Sequence, residues 1–160
     1  MTSTTPVDFI DARILSALNE DPRATVIALA DKTELSRNTV QAHLSKLEKR
    51  GVLRSFERRI DPGALGYPLT AFVLTSVTQR KLAPIADALD CIPEVIEVHG
   101  LSGAADLLIH VVARDADDLY RIAGRILDID GVEQTTTSLV MRKLLDYRLT
   151  PLMQQVVDKG

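Results

Sequence analysis

Apolar residues recur at helical spacing three times within the first fifty positions of the chain. The patterns cover residues 9–18, 26–32 and 36–51. Residues 33–36 separate the second pattern from the third, which is the length of the tight turn in a helix-turn-helix. The chain is therefore predicted to begin with a three-helix unit whose third helix is presented to a partner.

The third pattern has a clear start, a clear end and two different faces. Ser36 is a good N-cap, Val40, Leu44 and Leu47 form an apolar stripe, and Gly51 can end the helix in a left-handed conformation. An ordinary solvated amphipathic helix would have the same stripe, so the segment alone does not decide its role. The other face carries amide, hydroxyl and basic groups of the kinds that read base edges and bind phosphates: Arg37, Asn38, Gln41, Ser45 and Lys46.

Residues 52–60 mix apolar and basic side chains, and we interpret them as a short strand or hairpin, the wing of a winged helix-turn-helix. Arg54, Arg58 and Arg59 could lie on phosphates there, or could belong to a solvated basic edge strand. Residues 61–66 contain one proline and two glycines, which indicates a linker.

The remainder of the chain alternates between strand and helix patterns in the order β-α-β-β-α-β. This order, with Ile-x-x-Val after each helix, predicts a ferredoxin-like fold in an α+β protein. Helices can cover one sheet face only, so a dimer is expected to cover the other. The predicted elements are strands at 69–77, 95–98, 107–113 and 132–140, helices at 82–92 and 115–126, and a short closing helix from Pro151; the run 107–113 suggests burial on both faces.

The charge distribution supports a nucleic-acid partner for one part of the chain only. The formal charge of the whole chain is −3, yet residues 36–61 hold seven basic and three acidic groups. A local basic region is what matters for phosphate contact, because screening limits exposed charges to about 8–10 Å. Aromatic residues make up 4% of the chain, so base stacking is not the expected mode of recognition.

Composition also bears on the compartment and on cysteine chemistry. No apolar run reaches the roughly 20 residues of a membrane span, and no signal-peptide pattern is present, so no membrane partner is expected. Cys91 is the single cysteine, which fits a cytoplasmic protein without disulfides. Its place at the end of a helix pattern favours a buried small side chain over a catalytic thiol.

With both halves placed, the sequence resembles the Lrp/AsnC family of transcription regulators over about residues 8–150. The order and spacing of several short pieces carry the resemblance together. These pieces are residues 11–15 (DARIL), 35–40 (LSRNTV), 47–53 (LEKRGVL), 65–67 (LGY), 101–108 (LSGAADLL) and 132–138 (VEQTTTS).

The resemblance implies a winged helix-turn-helix at 8–60, a linker at 61–67, an effector-binding and oligomerisation domain at 68–150, and a tail at 151–160. It implies double-stranded DNA as a partner, and homodimers that can assemble into an octamer of four dimers. The candidate DNA contacts are Ser36, Arg37, Asn38, Thr39, Gln41, Ala42, Lys46, Arg54, Arg58 and Arg59.

A small effector, an amino acid, is implied by the family's Gly-x-x-Asp loop, which Gly103 and Asp106 match. Glycine lets a ligand approach backbone amides, and a carboxylate can pair with a ligand ammonium. The alternatives are that Gly103 only makes a turn and that Asp106 only caps a strand entrance. Relatives often carry a larger side chain before the Asp, where this chain has Ala105. The candidate effector contacts are Leu101, Ser102, Gly103, Ala104, Asp106, Thr135, Thr137 and Ser138.

Two other functions compete with an effector-responsive regulator. Some proteins of the same two-domain build resemble siroheme decarboxylases, which use histidine and arginine near the wing and linker, but no histidine occurs here between Leu44 and Val98. An architectural DNA-binding protein without an effector is the other alternative. His99 and His110 lack neighbours at metal-ligand spacing, so we predict no metal, no cofactor and no catalytic residue.

Overall fold

The computed structural model describes residues 6–159, and the chain divides into two compact units, residues 1–58 with 145–160, and residues 59–144. Every helix and strand predicted from the sequence is present, with small changes at the ends, except the strand or hairpin predicted for residues 52–60. In chain order the elements are α1 (Phe9–Glu20), α2 (Val26–Thr33), α3 (Arg37–Lys49), β1 (Leu69–Val77), α4 (Leu82–Asp90), β2 (Val95–Gly100), β3 (Leu107–Ala113), α5 (Ala116–Leu127), β4 (Val132–Leu139) and α6 (Thr150–Val157).

The first unit is built around a small apolar core formed by its three N-terminal helices. Ile14 of α1, Leu29 of α2 and Val40 of α3 are buried against one another, and Leu35 in the turn packs on the same cluster. The turn itself passes through Glu34, which has a left-handed backbone with φ 54°. The helix-turn-helix predicted from apolar spacing is therefore confirmed.

Both ends of α3 are fixed by local hydrogen bonds. At its start, the Ser36 hydroxyl accepts a hydrogen bond from the Thr39 amide at 3.1 Å. At its end, Gly51 takes φ +67°, and the amides of Gly51 and Val52 donate to the carbonyls of Glu48 and Leu47 at 2.9 and 3.0 Å. This is a Schellman ending, which requires the left-handed residue that glycine supplies.

The strand or hairpin predicted for residues 52–60 is wrong. No strand occurs there, and Phe56–Arg59 instead form a 3₁₀ turn. The physical reason lies in the spacing: Leu53, Phe56 and Ile60 are separated by three and four residues, which is helical rather than the alternation of a strand.

The predicted linker contains an ordered turn. Pro62–Leu65 form a second 3₁₀ turn, in which the Asp61 carboxylate accepts a hydrogen bond from the Gly63 amide at 3.0 Å. The turn ends at Gly66, whose φ of +92° explains the glycine.

The second unit is one antiparallel sheet with the strand order β2-β3-β1-β4. Its helices α4 and α5 contribute Ile85, Leu89, Ile122 and Ile126 to a core that also contains Val73 and other inward-facing strand residues. Element order and strand order together confirm the ferredoxin-like fold.

The sheet face opposite the helices is uncovered in the single chain. Register pairs Phe72 with His110 and Leu74 with Leu108, so all four side chains lie on that face. Leu74 is 37% exposed, and the rings of Phe72 and His110 stack with centroids 4.7 Å apart. The burial on both faces expected for 107–113 is therefore only partial within one chain.

The C-terminal helix belongs to the first unit. Most of the predicted tail is α6, which packs on α1, and the Asn19 amide donates to the Thr150 hydroxyl at 3.2 Å.

Cys91 is exposed, so its predicted burial is wrong: the residue follows the last turn of α4 and faces outward. Among the described residues, no helix is both long and apolar enough to span a membrane.

Candidate DNA-binding and effector sites

The outward face of α3 presents the side chains expected to read DNA. Arg37, Asn38, Gln41 and Ala42 are all exposed, whereas Val40 and Leu47 are fully buried on the opposite side. Amides and guanidinium groups on one exposed helix face can make bidentate contacts with base edges in the major groove. The structure therefore brings these four predicted contacts together.

Two further predicted contacts already have local partners. The hydroxyls of Ser36 and Thr39 lie 2.8 Å apart, and the Ser36 hydroxyl also accepts the Thr39 amide. Their first role is to cap α3. They stand at the same helix end as Arg37 and Asn38.

Lys46, another predicted contact, is exposed but paired within the chain. Its ammonium lies 3.5 Å from Asp8 Oδ2 and 3.7 Å from Asp11 Oδ2. A hydrogen bond from the Asp11 amide lowers the pKa of Asp8, and the neighbouring Lys46 lowers it further. The two carboxylates would compete with a DNA phosphate for this lysine.

A cluster that the sequence did not indicate lies beneath α3. Asp8, Asp11 and His43 each place a ligand-type atom close enough to the others to share a cation. However, Lys46 and Arg50 already supply positive charge to these carboxylates, at 3.5 to 3.7 Å. Their charge opposes a metal ion, and we interpret the cluster as an ion-pair network rather than a metal site.

The three predicted phosphate contacts after α3 lie outside any wing. Arg54, Arg58 and Arg59 are exposed, and the last two belong to the 3₁₀ turn Phe56–Arg59. Arg58 and Arg59 are thus carried by a turn, and Arg54 precedes it.

The predicted effector loop connects β2 to β3. It is closed by a 2.7 Å hydrogen bond from the Leu101 amide to the Asp106 carbonyl, and Leu101, Ser102, Gly103 and Ala104 are exposed. Gly103 has φ +127°, with no atom within 4 Å of where a Cβ would stand. Backbone conformation, rather than crowding, therefore requires glycine in this chain.

Asp106 joins the loop to the end of β1 and to the residues that follow it. Its Oδ2 accepts the Val77 amide at 2.8 Å, its Oδ1 accepts the Gln79 side-chain amide at 2.6 Å, and its own amide donates to the Thr75 carbonyl at 3.0 Å. Gln79 was missed because nothing in the sequence pairs it with Asp106, 27 residues away. A ligand ammonium would share this carboxylate with Gln79 or displace it.

The three hydroxyl residues of β4 do not converge on the loop. Thr135 pairs with Thr75, which also pairs with Leu107 at the loop's end. Thr137 lies further along and lines a shallow apolar groove with Tyr120 of α5. Ser138 pairs with Phe72 and therefore lies on the opposite sheet face from Thr135 and Thr137.

Two other acids with lowered pKa values, Glu94 and Asp118, lie away from both candidate sites. Asp118 accepts the Arg114 amide at 3.0 Å and the Arg121 guanidinium at 2.7 Å, and these bonds hold its pKa well below the usual range. Burial raises the pKa of Glu94, but the 2.6 Å bond to Arg121, a backbone hydrogen bond and the charges of Arg121 and Arg125 together outweigh burial and lower the pKa. The network ties α5 to the start of β2.

A helix-turn-helix with an exposed polar recognition face, joined to a ferredoxin-like unit with an exposed loop, defines a two-domain DNA-binding regulator. The chain belongs to the Lrp/AsnC family. Residues 70–150 match the Lrp/AsnC ligand binding domain, and residues 8–54 match a winged helix-turn-helix DNA-binding domain.

Relatives extend along nearly the whole chain. The HTH-type transcriptional regulator FL11 of Pyrococcus horikoshii is 33% identical over 137 residues, covering 86% of this chain and 91% of FL11. The HTH-type transcriptional regulator AldR of Mycobacterium tuberculosis is 36% identical over 142 residues, covering 86% of this chain and 79% of AldR.

Solved structures agree with the fold. The feast or famine regulatory protein of M. tuberculosis complexed with L-methionine has a TM-score of 0.78 and 28% identity, covering 89% of this chain and 97% of that one. AsnC of E. coli has a TM-score of 0.81 at 23% identity, covering 92% of this chain and 100% of that one, which bears on the fold alone.

The chain is therefore a transcription regulator with a DNA-binding and a ligand-binding domain. The relatives are regulators rather than enzymes, and the tetrapyrrole decarboxylase alternative is not favoured.

Proposed function

We propose that the protein binds a specific operator through the exposed face of α3 and that an amino acid bound at the 101–106 loop modulates this binding. DNA binding is supported by one observation: α3 exposes Arg37, Asn38 and Gln41 on one side and buries Val40 and Leu47 on the other. Arg54, Arg58 and Arg59 would supply phosphate contacts from the following segment. Because the relatives come from archaea and bacteria, whose DNA lies in the cytoplasm, we place the function there.

The DNA half is tested by comparing Arg37→Ala with Arg23→Ala. Both variants remove one exposed arginine from the same unit, but only Arg37 lies on α3. Losing a base contact should weaken binding to an operator selected from random sequence by about 1–3 kcal/mol and relax the preferred sequence. The Arg23 variant should keep the preference. An unchanged preference in Arg37→Ala would exclude base reading by this residue.

The effector half is supported by the relative crystallised with L-methionine and by the loop's own chemistry. Gly103 leaves open space above the loop, and the Asp106 carboxylate provides a negative charge held in place by Val77 and Gln79. Thr135 is the β4 hydroxyl nearest the loop, whereas Ser138 is expected to contribute nothing because it lies on the other sheet face.

A thermal-shift screen of the twenty amino acids tests the effector half, because a ligand that binds only the folded chain raises its stability. For an amino acid that raises the melting temperature, Asp106→Asn should lower the affinity measured by calorimetry by about 10- to 150-fold, through loss of a charge-assisted hydrogen bond. Ser138→Ala is the matched control and should leave affinity unchanged. Equal affinities for Asp106→Asn and the parent chain would assign Asp106 to the strand end instead.

A second copy of the chain is the proposed cover for the open sheet face, giving a homodimer that can assemble into an octamer of four dimers. Leu74→Glu places a charge in the middle of that face and should shift light scattering towards the monomer. Leu82→Glu, on an equally exposed residue of α4, should not. A parent chain that is monomeric at micromolar concentration would contradict the proposal.

A further inference from the structure

A buried carboxylate lies directly beneath the recognition helix. Asp11 is 0% exposed and is the third residue of α1. It forms a capping box with Asp8: the Asp11 amide donates to Asp8 Oδ1 at 2.7 Å, and the Asp8 amide donates to Asp11 Oδ2 at 3.3 Å. A capping box alone needs neither complete burial nor contact with another helix.

The same carboxylate contacts three side chains: His43 and Lys46 of α3, and Arg50, which is the C-cap residue of that helix. His43 Nδ1 lies 2.7 Å from Asp11 Oδ1, Lys46 Nζ lies 3.7 Å from Oδ2, and an Arg50 terminal nitrogen lies 3.6 Å from Oδ2. These residues follow one another at intervals of three and four, so they form a single stripe over successive turns. One buried anion is therefore linked to the C-terminal half of the recognition helix.

Directional bonds restrict α3 more than its apolar contacts do. Val40 and Leu47 fix which side of the helix faces the core, but apolar packing tolerates small rotations and shifts. A buried charge that loses its partners is strongly disfavoured, so α3 cannot turn away from Asp11 without breaking the His43 bond. Base readout requires side chains held to within about 0.5 Å.

We infer that Asp11 is a positioning residue for DNA recognition: acting through His43, it sets the rotation of α3 and thereby the direction of Arg37, Asn38 and Gln41. Asp11 is fully buried and does not itself touch DNA. The inference rests on the proposed reading of bases by α3, and it adds a specificity-determining residue outside the DNA-facing surface.

The test uses the full chain and compares Asp11→Asn with Asp8→Asn. Both substitutions remove one negative charge from the same capping box and from the same lysine, but of the two only Asp11 is hydrogen-bonded to His43. Affinities are measured for an operator selected by the parent chain and for random duplex DNA, at a temperature where circular dichroism shows every variant to be folded. Salt dependence is recorded for each.

Asp11→Asn should weaken operator binding by up to about 10- to 150-fold, the range for a lost charged hydrogen bond. Random-DNA affinity and the salt slope should match those of Asp8→Asn, because both substitutions remove one carboxylate charge from Lys46 and neither removes a phosphate contact. Asp8→Asn should keep the operator preference. A folded Asp11→Asn chain with the parental preference would overturn the inference and leave Asp11 a purely structural residue.

His43 provides a second test that also decides the matter if Asp11→Asn does not fold. His43→Ala removes the donor to Asp11, whereas the longer amide of His43→Gln can still donate. The alanine variant should lose operator preference, and the glutamine variant should recover most of it. Equal preference in the two variants would contradict positioning through this bond. If the parent chain itself shows no operator preference, the proposed function fails and not this inference alone.

Discussion

Ser36 shows how one residue can serve both the fold and the site. Its hydroxyl accepts the Thr39 amide at 3.1 Å, and it also stands beside exposed Arg37. Ser36→Ala should lower the free energy of unfolding by about 0.5–2 kcal/mol through loss of the cap, and Ser36→Asp should restore most of it. Urea denaturation measures both. If alanine had no effect, the hydroxyl would matter for DNA contact alone.

Gly131 and Gly124 form a matched pair with opposite expected effects. A Cβ at Gly131 would lie 2.8 Å from Lys81 Cδ, and its φ is +96°, whereas Gly124 lies within α5 with open space around it. Gly131→Ala should therefore destabilise the second unit, and Gly124→Ala should stabilise it by up to about 1 kcal/mol. Thermal melts of the two variants moving in the same direction would contradict this account.

Among the elements, α6 has the least obvious role, because it ends the chain yet belongs to the DNA-binding unit. Val157 lines a cleft with Arg13 and Ala17 of α1, whereas Gln155 is exposed. Val157→Ser should cost about 1 kcal/mol of stability and speed hydrogen exchange in α1, and Gln155→Ser should do neither. Unchanged exchange in Val157→Ser would mean that α6 does not support α1.

The elements that could be predicted from sequence are those with long periodic patterns and clear ends. Ser36 and Gly51 mark the two ends of α3, and a run rich in β-branched and apolar residues gives the bounds of β1. The segment after α3 was predicted incorrectly as a strand because its arginines suggested a wing, although Leu53, Phe56 and Ile60 have helical spacing. The partners of Asp11 and Asp106 could not be predicted, since they are 32 and 27 residues distant in the chain.

At the scale of the whole molecule, three carboxylates link stability to pH. The pKa values of Asp8, Glu94 and Asp118 are all lower in the folded chain than in the unfolded chain. The unfolded chain therefore takes up protons at a higher pH than the folded chain. The stabilising contribution of these carboxylates is complete above about pH 5 and decreases as the pH drops below about 4. Asp118→Asn should flatten this acid limb in denaturation measured from pH 7 to 3. If the substitution left the acid limb unchanged, Asp118 would not contribute to the pH dependence of stability.

The central claim, that the chain is an effector-responsive reader of a DNA sequence, is tested most directly by one binding titration. The parent chain is titrated into a selected operator and into random duplex at fixed salt, with and without the amino acid that raises its melting temperature most. We expect at least about a thousandfold preference for the operator and a change in operator affinity of about 5- to 150-fold on adding the amino acid. Equal affinity for both duplexes, with no response to any amino acid, would contradict it and favour an architectural DNA-binding protein.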